Sequence, residues 1–256
     1  MGTEIGQNQF KNHVPLSSIQ GDVGLFTPTV TQRFRLGTMH EDSHGRKWRY
    51  VKNGAAQLEV ALLAQSEAVN ANVAEIVQDG YTTAIGDTKI SALMVTSNGI
   101  SDHELIDGWM CVNKATGLGY SYPIRDNEWI SGDTVIRLDL YDAIRVATEA
   151  TSELTLVKNP FMDAIVAPTT LTGTILGVPN VVIPVSYYGW VQTGGVCPVY
   201  VDNGTTLVIG EMAAYKSADT TVAGACDLQA ATDVAIGRVV TIGAADEIAL
   251  IDLTLD

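Results

Sequence analysis

The sequence predicts a mainly β protein, made of β-barrel or sandwich modules with an extended N-terminal arm and little helix. Three observations predict it. First, short runs rich in Val, Ile, Thr and aromatics alternate with turn residues such as Ser97-Asn98-Gly99, Ala115-Thr116-Gly117 and Asp202-Asn203-Gly204. Second, charged residues make up only 17% of the 256 positions, below the usual quarter, and their place is taken by Thr, Ser, Gly, Asn and Val, which suit strands and turns. Third, two stretches share one cadence, aromatic-x-aromatic-Val-x-x-Gly: Trp48-Arg49-Tyr50-Val51-Lys52-Asn53-Gly54 and Tyr188-Gly189-Trp190-Val191-Gln192-Thr193-Gly194. Aromatics two apart share a strand face, and a glycine gives the backbone freedom to turn, so the echo predicts two related β-units, each ending in a turn at its glycine.

The elements follow in order. Residues 1–35 carry Pro15 and Pro28 and no sustained period, so they read as an arm ordered only against something else, with Val14-Pro15-Leu16 and Leu25-Phe26 as apolar anchors. Residues 36–80 read as a hairpin and linker. Phe34 and Leu36 alternate with polar residues, Trp48 and Tyr50 do likewise, and His40-Glu41-Asp42-Ser43-His44-Gly45 is the polar turn between them. Leu58, Leu62, Val69, Val73, Ile76 and Val77 recur at three-to-four spacing, so 55–79 is read as a strand start followed by helix or irregular linker. A middle β region, 81–180, holds strand-like runs at 89–96, 109–112, 119–124, 134–140 and 165–167, and a short helix or strand pair within 142–156. The last region, 181–256, is read as barrel-like and packed with 36–65. Its strands are expected at 181–186, 189–192, 197–201 and 206–212, with a final hairpin joining 235–242 to 247–253.

Charge narrows the range of partners. The net charge is −14, but residues 1–52 hold seven cations against four acids, a balance of +3, while the rest holds eight against twenty-five, a balance of −17. So acidic a body repels phosphate and argues against nucleic acid as a partner. The basic portion suits an acidic protein surface, and the residues expected to contact a partner are Arg33, Arg35, Arg46, Lys47 and Arg49, with Leu25 and Phe26. Cys111, Cys197 and Cys226 are widely spaced and read as small buried hydrophobes in a reducing cytoplasm. No signal-peptide pattern opens the sequence and no uncharged apolar run is long enough for a membrane helix, so no membrane association is expected.

Motif searches find little chemistry. His40-Glu41-Asp42-Ser43-His44 matches H-E-x-x-H, whose zinc chemistry needs both imidazoles on one helix face, yet Asp42-Ser43 and Gly45 oppose a helix there and favour a hairpin tip. Asp102, Glu104 and Asp107 lie close in sequence but lack the spacing of a calcium loop. There is no G-x-S-x-G elbow, phosphate loop or dinucleotide fingerprint. No cofactor, metal or catalytic residue is therefore expected. The aromatics Trp109, Tyr120, Tyr122, Trp129, Tyr187, Tyr188 and Trp190 suit a core or subunit interface, with a sugar-stacking platform as the competing reading.

The segments Leu36-Gly37-Thr38, Gly45 through Ala55 and Tyr188 through Gly195, with the late Ile236-Gly237-Arg238-Val239 strand, resemble structural proteins of tailed-bacteriophage heads, and the C-terminal part resembles small β-barrel capsid decoration (cement) proteins. The resemblance covers residues 36–65 and 178–256. It implies a non-enzymatic virion protein made in the bacterial host cytoplasm. It also implies attachment to the outer capsid surface, where a homotrimer bridges subunits of the major capsid protein. The chain departs from the smallest such proteins by its added middle region. Two competing readings remain: a glycan- or receptor-binding module of a phage tail or fibre, and a metallohydrolase built on His40, Glu41 and His44.

Overall fold

A computed structural model describes residues 24–80, 82–97, 99–129, 132–202, 206–215, 221–231 and 233–256. Its strands are β1 (Met39–Glu41), β2 (Lys47–Lys52), β3 (Ala64–Gln65), β4 (Ile76–Val77), β5 (Lys89–Leu93), β6 (Trp109–Lys114), β7 (Ser121–Trp129) and β8 (Val135–Leu140). They continue with β9 (Glu153–Val157), β10 (Ile165–Val166), β11 (Ile175–Pro179), β12 (Tyr188–Tyr200), β13 (Met212–Tyr215), β14 (Asp227–Leu228), β15 (Val234–Thr241) and β16 (Ile248–Thr254). The mainly β class is the observed one, and the only helical turn among the described residues is the 3-10 turn Ala71–Val73.

Two compact units share the chain. The first combines the described residues up to Glu67 with Phe161–Asp256, and the second is Ala68–Pro160. The residues grouped from composition as 81–180 are thus divided, with β10 and β11 in the first unit. In that unit ten strands form a curled sheet in the order β10-β3-β11-β12-β16-β15-β13-β14, with β2 on the other side of β12 and β1 beyond it. Alternation aims Cys197, Val199, Ile236, Val239, Ala249, Ile251 and Leu253 into one core with Leu63, Val178 and Tyr215. The Tyr215 hydroxyl satisfies itself on the carbonyls of Ala167 (3.2 Å) and Pro168.

The second unit leaves from β3 and returns into β10, and these strands pair directly, Ala64 opposite Val166 and Gln65 opposite Ile165. An insertion whose two ends meet on paired strands leaves the host sheet uninterrupted. Its own six strands run β4-β9-β6-β7-β8-β5, and an antiparallel bridge from Gln78 to Ala92 brings the two edges together. The sheet is therefore nearly a closed barrel, filled by Met110, Val112, Tyr122, Ile124, Ile136, Leu138, Leu140, Leu154 and Leu156. Closure removes the exposed edges that six short strands would otherwise present.

Several expected elements differ. Of the strand start and helix or irregular linker expected over 55–79, the chain forms the short strands β3 and β4, one 3-10 turn and irregular linker but no α-helix: Leu58, Leu63, Val73 and Ile76 are buried, whereas Val69 and Val77 face outward, so the apolar residues line no single helical stripe. The 142–156 segment contributes one strand, β9, and no helix. The strand expected over 181–186 is absent, its place beside β12 being taken by β11. At 206–212 the chain is irregular until Met212, where β13 begins.

The largest departure is at the second aromatic cadence. Instead of turning at Gly194, the chain continues as one 13-residue strand, β12. A bulge at Gln192–Gly194 absorbs the irregularity. Gly195 takes φ +76, a left-handed conformation that glycine supplies cheaply. The buried Gln192 side chain spans the bulge, its Nε2 donating to the carbonyls of Gly194 (3.0 Å), Gly195 (3.2 Å) and Val196 (3.0 Å). Gly54 likewise serves close approach: a Cβ there would lie 2.9 Å from the carbonyl oxygen of Asp163.

Because its ends meet, excising 68–160 and bridging the gap with a short Gly-Ser linker is expected to leave the first unit folded. Circular dichroism and thermal unfolding of the shortened chain check this: a cooperative β-type transition is the expected result, and its loss would show the host sheet to depend on the insertion.

Candidate functional site

The residues expected to contact a partner lie on or beside β2, over an aromatic seam. The two sequence cadences pair with each other antiparallel, Lys52 opposite Tyr188, Tyr50 opposite Trp190 and Trp48 opposite Gln192. Trp48, Tyr50 and Trp190 are thereby buried together, with Leu25, Phe34, Leu36 and Tyr188 packed against them. Tyr50 meets Trp190 edge-on at 5.0 Å and Phe34 at 5.2 Å, and stacks on Tyr188 at 6.0 Å. Edge-to-face contacts of this kind add to the burial itself. The Trp48 indole N–H donates to Asn180 Oδ1 at 3.0 Å.

This seam decides what becomes of residues 24–35. Thr29 and Tyr188 exchange backbone hydrogen bonds of 2.9 and 2.8 Å, and the Arg33 N–H donates to the Tyr50 hydroxyl. Leu25 and Phe34 therefore pack on the protein's own body, while Phe26 stays exposed. The proposed anchor Val14-Pro15-Leu16 lies outside the described residues.

The cations of the hairpin are held by carboxylates of the same unit. Arg49 grips Asp256 through Nε (2.7 Å) and Nη2 (2.9 Å), and its Nη1 donates to the Gly37 carbonyl at 2.9 Å. Lys47 donates to the Asp256 backbone carbonyl at 3.4 Å, and Lys52 pairs with Asp163 at 3.3 Å. Arg46 pairs with Asp42 and lies 5.0 Å above the Trp48 ring. Arg35 supplies its carbonyl to Thr38 N–H at 3.0 Å. Arg46, Arg49 and Lys52 of the basic portion are thus engaged by Asp42, Asp256 and Asp163 of the same unit. The Arg49 hydrogen bond, working against partial burial, holds the Asp256 carboxyl below its ordinary value.

The H-E-x-x-H stretch is a hairpin tip. His40 is 1% exposed and stacks on Trp48 at 5.6 Å, whereas the His44 side chain is 81% exposed, so the two imidazoles never share a face. Asp42 organises the turn, its Oδ1 accepting from the N–H groups of His44 and Arg46. Burial would raise the Asp42 pKa, but these donors and the Arg46 charge hold it below the carboxylate norm.

In the second unit the three clustered acids diverge. Asp102 accepts from the Trp129 N–H (3.1 Å), Glu104 from the Ser101 N–H (2.6 Å) and pairs with Lys158, and Asp107 accepts from the Tyr141 hydroxyl (2.9 Å). Among the described residues no group of three or more His, Cys, Asp or Glu could hold a metal ion. His103 lies between two carboxylates, Asp126 at 2.7 Å and Asp102 at 3.2 Å, and the Asp126 hydrogen bond followed by the Asp102 charge raises its pKa. Burial drives the thiols of Cys197 and Cys226 up to about 12, so both are inert at neutral pH, while Cys111 is half-buried.

The aromatics proposed as a platform separate in the same way: Tyr122 and Trp190 are core residues, and Trp109 and Tyr120 are exposed on the second unit. Sequence reasoning did not single out Tyr141, which is also exposed there and follows β8 directly. The odd-numbered alternation Arg137, Asp139, Tyr141 was the available signal. Comparison of the chain with family models, with curated proteins and with solved structures finds no match.

Two outcomes follow. Asp256→Asn is expected to cost about 1 kcal/mol at neutral pH, the worth of a well-aligned, half-buried Arg–carboxylate pair. Because the Asp256 pKa is depressed on folding, that contribution is present above its unfolded value of about 3.9 and fades as pH falls through the folded one, so the two proteins converge in acid. Denaturant titrations at neutral and acid pH check it. NMR of the His103 ring should give a titration midpoint above 6.5, moving down in Asp126→Asn. Any stability from this raised pKa is present below about pH 6.5 and is lost as pH rises through the folded value.

Proposed function

We propose that the chain is a non-enzymatic virion structural protein that attaches to the outer surface of a bacteriophage capsid and bridges its subunits. The observation that carries this is the exterior of the C-terminal sheet. Val196, Pro198 and Tyr200 of β12 stand beside Asp252, Leu250 and Ile248 of β16 in that register. Val196, Ile248, Val240 and Ile242 are all exposed, and Leu250 is half-exposed. Sheet exteriors of antiparallel proteins are ordinarily polar, and exposed apolar side chains grouped around the single Asp252–Arg238 row favour cover by another protein.

Two further features support adhesion. The acidic body disfavours DNA, and the segments resembling capsid decoration proteins are the ones that pair as β2 and β12. In this reading the major capsid protein is the partner, the protein assembles as a homotrimer on the shell, and the body carries out no reaction.

The test uses expanded, undecorated capsids and the double variant Val196→Asp/Ile248→Asp. Both side chains point outward, so thermal unfolding should stay within a few degrees. Shell affinity should fall by about tenfold or more, because two desolvated contacts become carboxylates. Co-sedimentation measures occupancy, and native mass measurement reports the trimer. Undiminished occupancy in the variant, or no binding by the parent protein, would overturn the proposal.

A further inference from the structure

The second unit carries a face that shell attachment does not use. On the exterior of its barrel, β5, β8, β7 and β6 lie side by side, with Lys89 opposite Asp139, Ser91 and Glu128 both opposite Arg137, and Trp109 opposite Pro123. The intervening residues Ile90, Leu138, Ile136, Tyr122 and Met110 point into the barrel. At one end of this face is a cleft of about 290 Å³. At the other, the Tyr141 N–H donates to the Pro123 carbonyl at 3.0 Å, continuing the row to Tyr141–Pro123–Trp109.

The cleft's charges are of both signs, and of its carboxylates Asp126 pairs with His103, Asp139 with Arg125, and Asp87 accepts from the Ala84 N–H. Lys89, Glu128 and Arg137 form no ion pair among the described residues, although all line the cleft. Asp139 gives its Oδ2 to Arg125, while its Oδ1 is buried without a hydrogen-bond partner among the described residues. That Oδ1 is shut off from solvent, so the charged groups open to a ligand are Lys89, Glu128 and Arg137. An anion would meet Glu128, Asp126 and Asp139, and a cation would meet Lys89 and Arg137. A neutral polyol suits both: its hydroxyls donate to the carboxylates and accept from the cations at once. The cleft volume matches one sugar ring with its water.

The aromatic end supplies what a longer chain of rings needs. Trp109 is 49% exposed and Tyr141 48%, and each presents a ring beside Pro123. Two strand spacings separate them, about 10 Å, the span of two linked pyranose rings. The Tyr141 hydroxyl is anchored on Asp107, so that ring is held in place. Stacked aromatics bind the apolar faces of sugars, and rigid rings do so at little entropic cost.

We infer that this face binds a neutral oligosaccharide, one ring hydrogen-bonded in the cleft by Arg137, Lys89 and Glu128 and further rings stacked on Tyr141 and Trp109. The inference is independent of shell attachment, because every residue it uses belongs to the inserted unit. A virion carrying such a face would hold on to glycan-coated surfaces.

The experiment screens the full chain on an array of bacterial-surface oligosaccharides, together with maltotetraose, cellotetraose and chitotetraose, and follows hits by calorimetry. Saturable binding of at least one is expected, weakened about tenfold or more by Trp109→Ala and, separately, by Arg137→Ala, with thermal unfolding unchanged since both side chains face outward. Three results would overturn it: no saturable binding of any member up to about 10 mM, binding that survives both substitutions, or preference for a short oligothymidylate over every sugar, which would assign the aromatic pair to nucleobases.

Discussion

The antiparallel pairing of β2 with β12 is the constraint on which the first unit depends. It brings together residues about 140 positions apart in the chain, and its side-chain layer is almost entirely aromatic. Closing so long a loop is entropically unfavourable, though the cost grows only slowly with length. Burial of Trp48, Tyr50 and Trp190, each worth a few kcal/mol, offsets it. Once formed, the seam seats everything near it: Thr29 bridges to Tyr188, Phe34 packs edge-on, and His40 lies flat against Trp48. The same pairing sets Lys47 and Arg49 beside the final residue, so the salt links to Asp256 are a consequence of the register rather than its cause.

The inserted unit obeys a separate logic. Its barrel is filled by its own apolar residues and closed by its own bridge between Gln78 and Ala92. The host sheet is spanned by β3 and β10 at the point of insertion, where Gln65 also holds the returning chain by accepting from the N–H groups of Thr172 and Gly173, both at 3.3 Å. The host sheet carries exposed Val196, Val240 and Ile248 on its exterior, and the insert carries exposed Trp109, Tyr141 and charged side chains on its own. The two units can change independently, because neither shares a core with the other.

Apparent function in the sequence was partly consumed by structure. The hairpin cations, which by composition alone suit an acidic partner, neutralise Asp42, Asp163 and Asp256. The H-E-x-x-H spacing is divided between a core histidine and a solvent-facing one. In both cases a pattern defined along the chain met a period-two strand and a tight turn, which send neighbouring side chains to different faces.

Alternation, turn residues and low charge were enough to determine the β class, the presence of the strands β6, β8, β15 and β16 and the sign of the net charge, because each depends on composition or on residues a few positions apart. The kinship of the two aromatic cadences was legible too, but not that they pair, since sequence proximity says nothing about partners across such a distance. Tertiary structure alone decided the rest. It turned the expected glycine turn into a bulge bridged by Gln192, gave the helical spacing of 55–79 to two short strands, a 3-10 turn and irregular chain, and replaced the strand over 181–186 with β11. It also placed Lys89, Arg137, Asp139, Tyr141 and Trp109 on one face. Those outcomes are set by which backbones compete for the same hydrogen bonds and which side chains fill the same space, and both are properties of the assembled sheet.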